Sequence, residues 1–141
     1  MNDPVAAFLR LAEIPGENLS EVETFLGTQK ADSAALAVLE RPDEPVALLK
    51  VDRGGEATLF SVVPAEHGSR LLHETYIGKV PDATVTQIHA IESLGGASAP
   101  QPERVEITGS RLMGQIDLTN YDGEQRATLI DALRMITDPR S

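Results

Sequence analysis

Cysteine and tryptophan are both absent from this 141-residue chain, and aromatic residues make up only 4% of it. Without cysteine, the chain has no disulfides, thiolate metal sites or cysteine nucleophiles. The scarcity of aromatic rings predicts an aliphatic core and few stacking platforms for bases or sugars. No apolar run approaches the ~18 residues typical of a membrane span. Because the N-terminus also lacks a basic segment followed by an apolar core, we expect a cytoplasmic protein.

Acidic residues outnumber basic ones by 22 to 12, which gives a formal net charge of −10 at pH 7. The acids are scattered along the chain and do not form a tail. Such a balance repels nucleic acid and anionic lipid at long range, so neither is expected as a partner. The apolar content of 41% is ordinary for a folded protein, and the length suits one compact domain.

The C-terminal stretch from Asp122 to Thr137 predicts an amphipathic helix. Asp122 can cap its start, and Gln125 can reach back to Asp122 in a capping box. The apolar residues recur at the three-and-four spacing that gives a helix one apolar face. They are Leu129, Ile130, Leu133 and Ile136. The segments that precede this helix have the patterns of strands, so we expect the helix to close a sheet.

Residues 1–30 predict a helical pair packed on the main body. Asp3 and Pro4 suit the start of a first helix, which runs to Ile14. A capping box at Ser20 indicates a second helix of barely two turns, which Gly27 should end. Helices this short need tertiary contacts to persist, so they should pack on each other or on the rest of the chain.

Residues 31–40 fit a helix or a strand, and their many alanines with few β-branched residues favour a helix. From Val46 onward the pattern changes to strands and short turns, with a tight hairpin at Gly54-Gly55. Residues 95–102 predict a loop rich in Gly, Ala, Ser and Pro.

The predicted fold class is therefore α+β. We expect a bent antiparallel meander or partly open barrel of about six to seven strands, capped by the C-terminal amphipathic helix. Two or three short helices precede it. Its last hairpin should have arms at residues 104–108 and 112–119. Apolar and polar residues alternate along the second arm, so one face of that arm should be buried and the other exposed to solvent.

Several segments resemble the bacterial pleckstrin-homology-like domains. An acidic turn that enters a first strand, a strand that ends in Ile-x-x-Ile-Glu, and a closing hairpin with its terminal helix all have counterparts in this family. These segments are Leu39–Leu49, Thr86–Glu92 and Arg104–Ile136. In place of the family's Thr-Asp-x-Arg-Leu turn, the chain keeps only Arg70-Leu71 at the corresponding position. The resemblance covers about residues 31–136.

The resemblance implies that residues 31–141 form a pleckstrin-homology-like β domain with a C-terminal helix. It also implies a tendency to bind or oligomerise, and it carries no catalytic residues. The sequence itself also lacks recognisable catalytic motifs. The histidines lack His-Glu-x-x-His spacing, the serines lack a Gly-x-Ser-x-Gly context, and the glycine pairs lack the endings of phosphate loops. We assign no catalytic residue, no metal ligand and no cofactor.

Anion binding at a turn is the weakest of the candidate sites. Lys50 and Arg53 flank the Gly54-Gly55 hairpin turn and are the candidate anion contacts. Asp52 and Glu56 share that turn and cancel much of the positive field. Binding to a membrane or a phosphoinositide headgroup is therefore disfavoured.

The interpretation that fits best is a non-enzymatic protein-binding or assembly module whose partner is another protein or a second copy. Its candidate contacts are Phe8, Leu9, Val22 and Phe25 on the helical pair, together with the exposed edge of the sheet. Two alternatives stay open. One is an acidic, chaperone-like α/β protein that serves a secreted or phage-encoded partner. The other is a small-molecule-binding domain or enzyme with an enclosed pocket.

Overall fold

The computed structural model describes residues 3–14, 16–80, 82–90, 101–119 and 121–137. These residues form three helices and seven strands, so the fold is α+β, as predicted. The helices are α1 (Pro4–Leu11), α2 (Gly16–Asp32) and α3 (Gly123–Thr137). The strands are β1 (Ser33–Leu39), β2 (Ala47–Asp52), β3 (Ala57–Ala65), β4 (Gly68–Tyr76), β5 (Thr84–Ala90), β6 (Gln101–Thr108) and β7 (Gly114–Asp117).

The strands form two antiparallel sheets in sequence order. Sheet A has the order β1-β2-β3-β4, and sheet B has the order β5-β6-β7. An isolated bridge between Glu40 and Gln115 joins the end of β1 to β7. The predicted antiparallel meander is therefore confirmed, but across the described strands the two sheets do not close into a barrel.

Strand β2 is buried on both faces, and this decides how the layers are arranged. Ala47, Leu49 and Val51 lie in a core shared with sheet B and α3, which we call the inner core. Leu48 lies in a second core with α1 and α2, the outer core. A strand covered on both faces needs a nearly continuous apolar sequence, which β2 has. Sheet A is thus the middle of three layers.

Helix α3 supplies one wall of the inner core. Leu129, Leu133 and Ile136 are buried and Ile130 is half-buried, so the predicted apolar stripe faces the protein. The helix packs on β1, β2 and β5. The prediction that the C-terminal helix closes a sheet is confirmed.

Helix α2 differs from its prediction at both ends. It starts at Gly16, four residues before Ser20, and continues through Gly27 to Asp32 for 17 residues in total. A glycine ends a helix by adopting a left-handed conformation, and Gly27 does not adopt one. Packing along sheet A outweighs the cost of an internal glycine, which is about 0.5–1 kcal/mol.

The preference for a helix over residues 31–40 was wrong, because Ser33–Leu39 form β1. This strand pairs with β2 from Ala35 to Leu39 without interruption, with Ala37 opposite Leu49, and the register shifts once between Ser33 and Ala35. Pairing with a partner outside the local sequence outweighs the modest helix propensity of alanine. The small side chains also suit the position of β1, since Ala37 is fully buried in the inner core.

The two predicted hairpins are confirmed. In the β2–β3 turn, the backbone N–H of Asp52 donates to the Glu56 carbonyl at 2.9 Å, and Gly55 has a φ of 88°. In the last hairpin, the apolar face that was predicted to be buried is buried, at Leu112, Ile116 and Leu118. Residues 91–100, which include most of the predicted loop, lie outside the described residues, and residues 101–102 belong to β6.

Candidate interaction surfaces

The outer edge of β4 is the longest regular strand edge without a partner in the described structure. Strand β4 pairs with β3 over nine consecutive residues without a bulge. Strand β5 is the edge of sheet B, but its ladder is broken by an irregularity between Ile88 and His89. Strand β1 is flanked by α1 and bridged to β7. A straight, unpaired edge is a template for another strand.

The hydrogen-bonding pattern shows which β4 residues face the open side. The Asp52 N–H donates to the carbonyl of the facing Glu56, and positions that are hydrogen-bonded in this way alternate along an antiparallel ladder. Thr58 therefore directs its backbone groups to β2, whereas Leu59 directs its own to Glu74 of β4. By the same alternation, the outward-facing backbone groups of β4 belong to four residues. They are Ser69, Leu71, His73 and Thr75, and we call this row the β4 edge.

The side chains of β4 differ between its two faces. Arg70, Leu72 and Glu74 share the inner face of sheet A, where Leu72 is 43% exposed and both charged residues are exposed. Arg70 makes no ion pair with any described residue. Glu74 accepts a hydrogen bond from the Tyr76 hydroxyl at 3.3 Å. An apolar side chain thus lies between a positive and a negative one.

On the outer face, His73 of β4 belongs to an aromatic cluster with α2. Its ring centroid lies 5.0 Å from that of Phe25 and 5.0 Å from that of Phe60. Helix α2 therefore supports β4 from this side. His89 lies in β5 of the other sheet, so the two histidines are not neighbours on paired strands.

Tyr76 fixes the C-terminal end of β4. Its single hydroxyl proton is shared between the Glu74 carboxylate and the backbone carbonyl of Arg111, which is 3.0 Å away, and the second contact links β4 to the loop between β6 and β7. Burial, together with the charge of the neighbouring Glu74 carboxylate and its hydrogen bond to the hydroxyl, raises the pKa of Tyr76 to about 12. The neutral phenol is therefore favoured where β4 meets sheet B.

Two of the four predicted helical contacts are core residues. Phe8 is 0% exposed and Leu9 is 9% exposed, and both belong to the outer core, where α1 packs on β1 and β2. Val22 and Phe25 are half-buried at the margin of the same core. The sequence signal for this packing was the apolar run of β2, which requires cover on both faces.

The two predicted anion contacts have different surroundings. Lys50 is 8% exposed, and its Nζ donates to Gln29 Oε1 of α2 at 2.8 Å. Arg53 is exposed in the β2–β3 turn. Asp52 Oδ1 of that turn accepts backbone hydrogen bonds from Gly54 and Glu56, at 2.9 and 3.0 Å. Lys50 is thus engaged beneath α2, while only Arg53 points to solvent.

Two grooves adjoin sheet A. The first, of about 440 Å³, lies between β1 and the start of α3, with Leu36 and Leu129 among its apolar residues and Asp122 and Glu124 in its lining. The second, of about 430 Å³, lies where β1 meets β7 and contains Arg41. Both volumes fall in the range of small-molecule sites.

The described parts of the chain contain neither a cluster of metal-ligand residues nor a membrane-spanning helix. No group of three or more His, Asp and Glu residues there is arranged to hold a metal ion. None of the described helices combines the length and the apolar character needed to cross a membrane.

The chain is similar to part of a curated bacterial GTPase. The chain is 32% identical to the GTPase Der of Mycolicibacterium vanbaalenii over 126 residues, which cover 84% of this chain and 27% of the GTPase. The chain therefore spans about a quarter of the length of the curated relative that it matches. No protein-family model and no solved structure matches it.

Proposed function

We propose that this chain is a non-enzymatic protein-binding module that takes an extended segment of its partner on the β4 edge. The proposal rests on the outer side of β4. This nine-residue strand is regular along its length, and its outer side has no partner strand in the described structure. In strand addition, main-chain hydrogen bonds supply affinity and alternate side chains supply specificity. The β4 edge offers outward donors and acceptors at four residues.

The side chains beside the edge set the chemistry of the segment. On the inner face, the order along β4 is positive at Arg70, apolar at Leu72 and negative at Glu74. An antiparallel segment that pairs well should present an acidic, an apolar and a basic side chain opposite these positions. A strand without this order of side chains should pair less well with β4.

The resemblance to pleckstrin-homology-like domains supports the same proposal. We propose that residues 31–136 belong to this class of fold. Seven antiparallel strands followed by a terminal helix agree with the order that the resemblance implied. The resemblance also implied binding or oligomerisation without catalytic residues.

The experiment is a screen of displayed random peptides against the full chain, followed by binding to two variants of Thr75. Thr75→Pro removes an outward N–H and leaves the β3 ladder bonds in place, because proline is tolerated where the N–H faces away from the sheet. Thr75→Val is the matched control, since it removes the same hydroxyl contact with Thr58 and keeps the N–H.

Peptides that use the β4 edge should bind the original chain and Thr75→Val alike, and should lose about tenfold or more in affinity for Thr75→Pro. Circular dichroism would establish that both variants are folded. The proposal is wrong if the enriched peptides bind both variants equally, or if no peptide is enriched and the chain does not pair with itself through the β4 edge either.

A second candidate function is guanine-nucleotide binding, which follows from the name of the similar protein, GTPase Der. The 141 residues contain no Gly-x-x-x-x-Gly-Lys-Ser/Thr motif, and Gly78-Lys79 is followed by Val80. We therefore rank this candidate below protein binding. A titration with fluorescent GTP and Mg²⁺ tests it, and saturable, Mg²⁺-dependent binding would place it first.

A further inference from the structure

We infer that the segment taken by the β4 edge is β4 of a second copy, paired antiparallel about a two-fold axis at Leu72. This inference rests on the proposed function and names its partner. In such a dimer the four strands of sheet A would continue into the four strands of the partner's sheet A. The argument uses the length of β4, its hydrogen-bonding pattern and its charges.

The hydrogen-bonding pattern allows a two-fold axis at this position. Leu72 is the middle residue of the nine in Gly68–Tyr76, so an axis there pairs the whole strand. Leu72 directs its backbone groups inward, so the two copies of Leu72 would form a non-hydrogen-bonded pair. Leu71 would then bond with the partner's His73, and Ser69 with the partner's Thr75. The arrangement gives about eight backbone hydrogen bonds across the interface.

The charges of Arg70 and Glu74 favour this register over its neighbours. With the axis at Leu72, Arg70 lies opposite the partner's Glu74, and Glu74 lies opposite the partner's Arg70. Both side chains are exposed and on the same face, and Leu72, which is 43% exposed, lies between them. Directly opposite charges favour strand pairing, whereas like charges oppose it. The interface therefore has two ion pairs around a central leucine pair.

The neighbouring symmetric registers are poorer. An axis at Leu71 would place Arg70 opposite the partner's Leu72. An axis at His73 would place Glu74 opposite the partner's Leu72. Both shorten the pairing, and both set a charged side chain against an apolar one.

Charge reversal tests the register. Arg70→Glu alone and Glu74→Arg alone each put like charges opposite one another twice per dimer. Each should raise the dimer dissociation constant about tenfold or more. The double variant Arg70→Glu/Glu74→Arg restores both pairs and should return within about threefold of the original. An equimolar mixture of the two single variants should form a heterodimer.

The measurement is sedimentation velocity of the full chain over a concentration series, with thermal unfolding to check that each variant is folded. The inference fails if the original chain stays monomeric at high micromolar concentration. It also fails if the folded variants all dimerise equally, or if the double variant remains weakened like the singles. Open-ended association would contradict it as well, because two-fold pairing consumes the β4 edge of both copies.

Cysteine cross-linking gives a second, independent readout, since the chain has no cysteine of its own. Leu72→Cys places two thiols at the axis, within the separation that a disulfide requires. Glu74→Cys is the matched control. Its two thiols would be four residues out of register, about 13 Å apart. Oxidation should give covalent dimers of Leu72→Cys at least tenfold faster, and equal rates would overturn the register.

Different results would disprove the self-pairing of β4 and the proposed function. A monomeric chain that still binds displayed peptides through the β4 edge would remove self-pairing and leave the proposed function intact. A chain that binds no peptide at the edge and dimerises independently of Arg70 and Glu74 would remove both.

Discussion

Glu40 and Gln115 exchange two backbone hydrogen bonds, each 2.9 Å long, where the end of sheet A meets sheet B. Gln115 Nε2 also donates to Glu40 Oε2 at 3.3 Å. The backbones approach closely beside Gly114, where an added Cβ would lie 2.6 Å from the Glu40 carbonyl oxygen. This bridge therefore fixes one sheet against the other, and it requires a residue without a side chain.

Gly114→Ala should lower the free energy of unfolding by about 1–3 kcal/mol, because the new methyl group must displace backbone atoms of Glu40. Gly27→Ala is the control. Gly27 lies inside α2 with no atom within 4 Å of an added Cβ, so this change should stabilise the protein by about 0.5–1 kcal/mol. Urea denaturation measures both. If the two alanine variants shift in the same direction, the bridge does not depend on Gly114.

The Tyr76 hydroxyl should make stability depend on pH in alkaline solution. An unfolded tyrosine has a pKa of about 10, whereas burial and Glu74 raise the folded value to about 12. Below pH 10 both states keep the proton, and the contribution of Tyr76 to stability is fully present. As the pH rises from 10 to 12, the unfolded chain loses this proton first, so the contribution is lost.

Tyr76→Phe removes this titration and the hydrogen bond to Arg111, so it should cost about 0.5–1.5 kcal/mol near neutral pH. The difference in unfolding free energy between the original chain and the variant should shrink as the pH rises through 10–12. Absorbance at 295 nm reports the phenolate directly, because the chain has two tyrosines and no tryptophan. A Tyr76 that titrates near pH 10 in the folded protein would contradict this prediction.

Lys50 is a buried residue whose ammonium group makes a partly buried hydrogen bond to its described partner, Gln29. Removing only the partner, as in Gln29→Leu, should destabilise the protein by about 1–3 kcal/mol, because the charge stays buried without its acceptor. Lys50→Met keeps an unbranched side chain that is shorter by only the terminal atom and removes the charge, so it should leave stability unchanged or slightly higher.

The double variant Lys50→Met/Gln29→Leu should recover most of the loss caused by Gln29→Leu alone. Denaturation of all four proteins completes the double-mutant cycle. If Gln29→Leu is as stable as the original chain, the hydrogen bond contributes nothing measurable.

The sequence predicted α3 well because its signals are local. The spacing of Leu129, Leu133 and Ile136 and the capping box at Asp122 lie within one segment, and both recur in the structure. β1 was mispredicted because its state depends on pairing with β2, and propensity does not report pairing. α2 was predicted too short for a similar reason, since contacts with sheet A carry the helix past Gly27.

The candidate surface was only partly predictable. The sequence indicated that a sheet edge would be exposed, but no residue in Gly68–Tyr76 marks that strand as the edge. The strand order decides it, because β4 is last in sheet A and β5 starts a different sheet. The apolar character of Phe8 and Leu9 was visible in the sequence, whereas the outer core that buries them depends on the far face of β2.

The capping box of α3 gives a last prediction. Asp122 Oδ1 accepts from the Gln125 backbone N–H at 2.8 Å, and the Asp122 N–H donates to Gln125 Oε1 at 3.0 Å. Asp122→Ala should cost about 1 kcal/mol, because it leaves an N-terminal N–H of the helix without its acceptor. Asp122→Asn should cost much less, since asparagine caps almost as well without the charge. Urea denaturation distinguishes capping from charge: if Asn and Ala destabilise equally, the interaction of the carboxylate with the helix dipole, and not the cap, stabilises the start of α3.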